Sequence, residues 1–121
     1  MLTMELNVRR VTEVTDSLTE AFARLMPQLS PRLAAPSAER LQAVAGSSSA
    51  ALFTAEAGGT VVGVLTLVWY DVPSGRKAWI EDVVVDAAVR GVGAGEALVR
   101  AALGHAAAVG AGKVMLTSNP A

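Results

Sequence analysis

The sequence predicts an α/β (α+β) domain: a mixed, mostly antiparallel sheet flanked by helices, in the order β-α-α-β-β-β-α-β. Three observations predict it. First, residues 79–117 read as strand, glycine-rich turn, helix and strand. Trp79–Asp86 carries the β-branched run Val83–Val85, which suits a buried strand. Arg90-Gly91-Val92-Gly93-Ala94-Gly95 follows, then an Ala/Leu/Val segment, then Lys113-Val114-Met115-Leu116-Thr117. Second, Gly58-Gly59 separates two apolar runs, and a two-residue hairpin turn wants residues that tolerate positive φ. Third, Val14, Leu18, Ala21, Phe22, Leu25 and Leu29 recur at spacings of three and four, the signature of one apolar helical face.

At 121 residues the chain is long enough for one domain with a substantial core, spanning 1–121. The formal net charge is −1 and no basic run occurs, which argues against a nucleic-acid partner. The longest apolar run, Val61–Tyr70, is interrupted by Gly63 and Thr66 and is too short to span a bilayer as a helix. Met1-Leu2-Thr3-Met4-Glu5 lacks the basic and apolar regions of a signal peptide. The expectation is therefore a cytoplasmic protein with no membrane partner. There are no cysteines, so disulfides, cysteine metal sites and a thiol nucleophile are excluded. The single histidine, His105, cannot build a His-rich metal site, and a Ser-His-Asp triad would have to use it. No metal site is expected.

Met4–Val11 alternates loosely and reads as the first strand. Thr12 is the expected N-cap of the first helix, with Glu13 in the first turn facing the positive end of the helix dipole. Pro27 is the expected limit of that helix, since it removes an internal hydrogen bond. Ser37 caps a second short helix through Val44, with Leu41 and Val44 inward. Gly46-Ser47-Ser48-Ser49 is a loop, Ala50–Ala57 a strand, Gly58-Gly59 the hairpin turn and Thr60–Tyr70 the returning strand. Asp71–Gly75 is a second turn, and the strand Arg76–Val85 follows. The next helix starts near Gly91–Gly93 and runs to about Val109, with Leu98, Val99, Ala102, Leu103, Ala106 and Val109 as its buried face. Glu96 and Arg100 pair at i,i+4 on the outer face, and Gly110 and Gly112 end the helix. His105 falls on the margin of the apolar face and reads as a half-buried packing residue. Lys113–Thr117 is then a strand parallel to Arg76–Val85, because a helix links the two.

The glycines of the Arg90–Gly95 loop let the backbone approach a ligand and leave free N–H groups at a helix start, an arrangement that binds phosphate. Two phosphate motifs fail on spacing. A P-loop needs Gly-Lys-Ser/Thr after the glycines, and here Gly95 is followed by Glu96-Ala97. A dinucleotide fingerprint needs G-x-G-x-x-G, and Glu96 or Leu98 stands at its last glycine. The spacing Arg90-x-x-Gly93-x-Gly95, after a strand and before a helix, resembles the acyl-CoA motif of the GNAT acetyltransferase superfamily.

That resemblance implies a GNAT-like sheet and acetyl-CoA as the acyl donor. The pyrophosphate would lie on the amides of Arg90, Gly91, Val92, Gly93, Ala94 and Gly95, with Glu96 also at the CoA site, and the pantetheine arm along the backbone of Val83, Val84 and Val85. The two helices after the first strand would form one wall of the acceptor site, and the partner would be a small-molecule or peptide amine. Transfer to an amine needs a proton acceptor, because a free alkyl ammonium has a pKa near ~10. Glu81 and Asp82 are the acidic residues of the central strand. Simple alternation puts Glu81 with Trp79, Val83 and Val85, and Asp82 with Ile80 and Val84. The resemblance makes Glu81 the candidate base. The alternative for both carboxylates is solvation or pairing with Arg76 and Lys77. Trp69, Tyr70 and Trp79 are expected to cluster at adjoining strand ends, and Tyr70 is the candidate acid for the leaving thiolate. The superfamily usually supplies that acid from a tyrosine after the last strand read here, where this sequence has none.

The resemblance covers about four-fifths of a usual domain, which continues into a further helix and two strands. A C-terminally incomplete catalyst is therefore expected, with the Lys113–Thr117 edge open to self-association as a dimer or covered by a segment from elsewhere. Two other readings stay open: a non-catalytic or degenerate acyl-CoA-binding module, and a structural or partner-binding domain whose glycine loop is only a turn.

Overall fold

A computed structural model describes residues 5–89 and 91–116. In chain order the elements are β1 (Leu6–Arg10), α1 (Asp16–Leu29), α2 (Ala38–Ala45), β2 (Ala50–Ala57), β3 (Thr60–Val72), β4 (Gly75–Val85), a 3-10 turn (Ala87–Val89), α3 (Ala94–Ala108) and β5 (Lys113–Leu116). The five strands form one sheet in sequence order. The pairs from β1 through β4 are antiparallel, and β4 and β5 are parallel, as the intervening helix requires. The expected order of elements is the observed one. Thr117, the expected last residue of β5, and the edge beyond it lie outside the described residues. No helix among the described residues is long and apolar enough to cross a membrane.

The sheet carries a core on each face. On one, α3 covers Ala51, Phe53, Ala55, Leu65, Leu67, Trp69, Ala78 and Ile80. On the other, α1 and α2 bring Leu18, Phe22, Leu25 and Leu41 onto Leu52, Val64 and Val84. The α3 stripe is Ala94, Leu98, Ala102 and Ala106. Its small side chains let the helix approach closely, and Gly63 answers from β3: a Cβ there would stand 3.0 Å from Leu98 Cδ1. Leu103, expected inside, is exposed. It lies about 100° around the helix from Ala102, and the narrow alanine stripe does not reach it.

Several boundaries differ from expectation. Helix α1 starts at Asp16, capped by Thr15, whose Oγ1 accepts from Leu18 N at 3.2 Å. Val14 packs against the α1 side of the core from outside the helix, so it satisfies the apolar spacing without being helical. Pro27 sits inside the last turn, where its missing N–H removes one bond without stopping the two residues that follow. Ser30 N still reaches Met26 O, at 3.1 Å. The second hairpin is tighter than Asp71–Gly75, since Val72 already pairs with Gly75, leaving Pro73-Ser74 as the turn. Ser37 caps α2 through Arg40 N at 3.1 Å, as expected, and Gly58 and Gly59 take φ of 59° and 82°.

The side-chain alternation along β4 does not hold. Thr66 pairs with Glu81 but Val64 with Val84, so Leu65 alone faces both Asp82 and Val83. This is a β-bulge, and Asp82 adopts φ 50° within it. Beyond the bulge the faces exchange. Ala78 and Ile80 point to the α3 side together with Val83 and Val85, while Val84 points to the α1 side. Glu81 therefore shares a face with Trp79 and Val84, not with Val83 and Val85. The aromatic cluster splits too, since Trp69 belongs to the α3 side.

His105 packs between Phe53 and Trp69, with ring centroids 5.7 and 5.3 Å away, which supports its reading as a packing residue. Its Nε2 is buried with no hydrogen-bond partner. Burial, and secondarily the charge of Arg10, lowers its pKa below the ordinary 6.5. The unfolded chain then binds this proton more readily than the folded one. The resulting stability is present above the unfolded value and is lost as pH falls through it toward the folded value. Between about pH 7.5 and about pH 5.5 the urea midpoint of the wild type should fall further than that of His105→Phe, which removes the titration. Equal falls in the two proteins would show that His105 carries none of the acid sensitivity.

Candidate functional site

The site begins where β4 and β5 part. Their register runs from Lys77↔Lys113 to Ile80↔Leu116, so Glu81–Val85 has no strand partner on that side among the described residues. A cleft of about 400 Å³ opens there. Ile80, Glu81, Asp82 and Val83 form its floor, the end of α1 contributes Leu29 and Ser30, and Leu33 and Leu116 close its flanks. Of the two N-terminal helices expected to form a wall, only the end of α1 and the residues just after it line this cleft, through Leu29, Ser30 and Leu33; α2 contributes no lining residue. These wall residues carried no motif of their own.

Glu81 and Asp82 are both exposed in this cleft. Among the described residues neither is in an ion pair. Arg76, one of their candidate partners, is committed elsewhere. It grips Asp71 at 2.7 and 2.9 Å and donates to Val109 O at 2.8 Å, at the end of α3. Its hydrogen bond holds the Asp71 carboxyl below the ordinary carboxylate range. Tyr70 is 41% exposed, and its hydroxyl accepts from Trp79 Nε1 at 3.0 Å. It pairs with Lys77, four positions before Glu81, or about 13 Å along the strand. The structure does not bring Tyr70 to Glu81.

At the other end of the splayed strand the chain turns into the glycine loop. Asp86 N donates to Val62 O at 2.7 Å, and Asp86 Oδ1 accepts from Ala88 N at 3.0 Å. That amide bond is the main cause holding the Asp86 carboxyl low. Burial opposes it, and Gln28 and Arg24 reinforce it. Arg24 forms an ion pair with Asp86 and donates to Val61 O at 2.7 Å. Gln28 accepts from Ala87 N at 2.8 Å and reaches Asp86 Oδ1 at 3.4 Å. Helix α1 thus clamps the first residues of the loop. The role of Asp86 as a turn cap follows its position at the strand end, whereas Arg24 and Gln28 are distant in sequence and carried no signal.

Arg90 lies outside the described residues. Gly91 and Gly93 take φ of 91° and 82°, a left-handed conformation that glycine enters at no steric cost. Gly93 caps α3, so the amides of Ala94, Gly95 and Glu96 open the helix without intrahelical acceptors. The Ala94 side chain is buried, with 2% exposure, and a Cβ at Gly95 would stand 3.6 Å from Val85 Cγ2. These two seat the helix start on β4. In front of them Gly93, Glu96, Ala97 and Arg100 line a recess of about 240 Å³. Glu96 and Arg100 pair at 2.7 Å, as expected, and the pair stands on the wall of this recess. The i,i+4 spacing showed the pair but not this placement.

The acetyltransferase (GNAT) family profile matches residues 13–121. A 46-residue segment is 50% identical to glucosamine 6-phosphate N-acetyltransferase 1 of Oryza sativa subsp. japonica. It covers 38% of this chain and 28% of the rice enzyme's length. Among solved structures, the fold is similar to an aminoglycoside acetyltransferase from an uncultured soil metagenomic sample, in complex with sisomicin. There the TM-score is 0.78 at 22% identity, over 94% of this chain and 78% of the other. It is also similar to glucosamine-6-phosphate N-acetyltransferase from Arabidopsis thaliana, with TM-score 0.79 at 20% identity, over 95% and 83%.

The clamp on the loop is open to test. Gln28→Ala removes the acceptor for Ala87 N and should destabilise the fold by about 1 kcal/mol, the net worth of one such bond. Amide hydrogen exchange should rise over Ala87–Gly93 while the β2–β3 hairpin is unchanged. Unaltered exchange in the loop would show that Gln28 does not hold it.

Proposed function

The chain belongs to the acetyltransferase (GNAT) family, and from that premise we propose that it transfers an acetyl group from acetyl-CoA to a primary amine by direct attack of the nitrogen on the thioester carbonyl. One observation carries this reading. The strand segment Glu81–Val85, without a strand partner on one side among the described residues, runs straight into a glycine loop and a helix N-terminus. A pantetheine amide chain can pair with the free strand edge, and a pyrophosphate can sit on the amides of Gly91–Glu96, with Arg90 as part of the same loop.

In this reading the carboxylate of Glu81 takes the proton from the incoming ammonium, directly or through a water. The freed nitrogen attacks the carbonyl carbon, and a backbone N–H of the bulged strand holds the oxyanion. The intermediate collapses with loss of the CoA thiolate. The second proton, shed by the nitrogen as the amide forms, passes through water to that thiolate, since Tyr70 pairs with Lys77, about 13 Å along the strand backbone from Glu81. The same displacement of Tyr70 supports a second reading, an acyl-CoA-binding module without turnover. Thioester cleavage in the presence of amines separates the two.

Gly93→Asp places bulk and negative charge where the pyrophosphate is expected. Calorimetry should find CoA binding abolished in the folded variant, and unchanged affinity would overturn the assignment of the loop. Glu81→Gln should lower kcat by about 10²-fold or more, in the range of general-base effects. It should also remove the acid limb of the pH–rate profile and leave acetyl-CoA affinity nearly intact. A profile of unaltered shape would take Glu81 out of the mechanism and leave Asp82 or a water chain as the base.

A further inference from the structure

The cleft itself describes what should fill its acceptor half. Its only charged lining groups among the described residues are the carboxylates of Glu81 and Asp82, both exposed and outside any ion pair among those residues. No arginine or lysine is among its lining residues. Phosphate and carboxylate recognition relies on such cations, arginine above all. Arg24 and Arg76 are committed to Asp86 and Asp71, and Arg32, exposed on the segment between Ser30 and Leu33, is not among the lining residues.

The rest of the lining is apolar: Leu29, Leu33, Ile80, Val83 and Leu116, with Ser30 the single neutral polar group. Leu33 and Leu116 are 40% and 57% exposed. They are two of the five large hydrophobic side chains exposed among the described residues, and both line this one cleft. Large apolar side chains left in water around a concavity mark a surface that an apolar ligand covers. The volume, about 400 Å³, must also take the reactive end of the donor lying along Glu81–Val85, so the acceptor is a small molecule.

Resting on the acetyl-transfer reading above, we infer that the acceptor is a small primary amine carried on an apolar body, with the ammonium as its only charge. The ammonium meets Glu81 and Asp82 at the floor, and the apolar body lies between Leu33 and Leu116. An amine that also bears a phosphate would bring its anion against two carboxylates, with no cation among the described lining residues to receive it.

Binding tests this without requiring turnover. The folded chain is first titrated with CoA alone, then, saturated with CoA, with 2-phenylethylamine and separately with glucosamine 6-phosphate. The expected result is saturable binding of 2-phenylethylamine at least tenfold tighter than the phosphosugar. In Leu33→Asn, which keeps every charge, affinity for 2-phenylethylamine should fall about fivefold, as expected for loss of an apolar contact, with CoA affinity unchanged. Equal or tighter binding of glucosamine 6-phosphate, absence of 2-phenylethylamine binding, or indifference to Leu33→Asn would each overturn the inference. Failure of CoA itself to bind would instead sink the acetyl-transfer reading.

Discussion

The constraint on which the rest depends is that β4 must hold the sheet with one edge while leaving part of the other edge free. A strand paired evenly on both sides has no backbone groups to offer a ligand. Two features resolve this. Among the described residues, strand β5 runs beside β4 only as far as Ile80, and immediately afterwards β4 bulges, with Asp82 and Val83 opposite Leu65. The bulge requires a left-handed residue at Asp82. That conformation is costly for most side chains and least so for Asn and Asp, whose short polar side chain tolerates it. An aspartate there is thus explained by backbone geometry before any chemistry is considered.

The bulge also decides which side chain goes where. It turns Val83 and Val85 onto the α3 core, where Gly63 and Gly95 leave room for the helix to lie close. It leaves Glu81 on the α1 side, in the cleft. Without the extra residue, either the valines would leave the α3 core or the carboxylate would be buried under α3 without a partner, which costs far more than a strained turn. The acid in the cleft and the apolar seat of the helix are two consequences of one inserted residue.

This is also where reading the sequence stopped short. The strand–loop–helix–strand unit was legible because each piece has a local signature: β-branched Val83–Val85, Gly93 where a left-handed cap is needed, the four-residue stripe through Leu98, and the Gly110 break. The Gly58-Gly59 turn and the Ser37 cap were legible for the same reason. The bulge was not. Nothing in Ile80-Glu81-Asp82-Val83 breaks a period-two pattern, and the extra residue exists only relative to Leu65 on another strand. Every face assignment downstream inherited that error. Thr12 and Thr15 are equally good caps by chemistry, and only the pull of Leu18 into the core selects Thr15. The clamp of Arg24 and Gln28 on Asp86 spans about sixty residues of sequence, beyond the reach of any spacing rule.

That clamp ties the two halves of the site together. Helix α1 ends at Leu29, which lines the cleft, and one residue earlier Gln28 receives the Ala87 amide of the glycine loop. One helical turn before Gln28, Arg24 grips Asp86 and the β3 carbonyl of Val61. The wall of the cleft and the start of the loop are therefore carried by a single turn of helix. Residues four apart lie on the same side of a helix, so Arg24 and Gln28 face the loop as a pair while Leu25 and Met26 face the core. A displacement of this turn would shift the cleft wall and the loop in the same direction. The distance between the two halves is then set by two side chains, Arg24 and Gln28, carried on one rigid helical turn, and fixed spacing is what attack of one bound molecule on another would require.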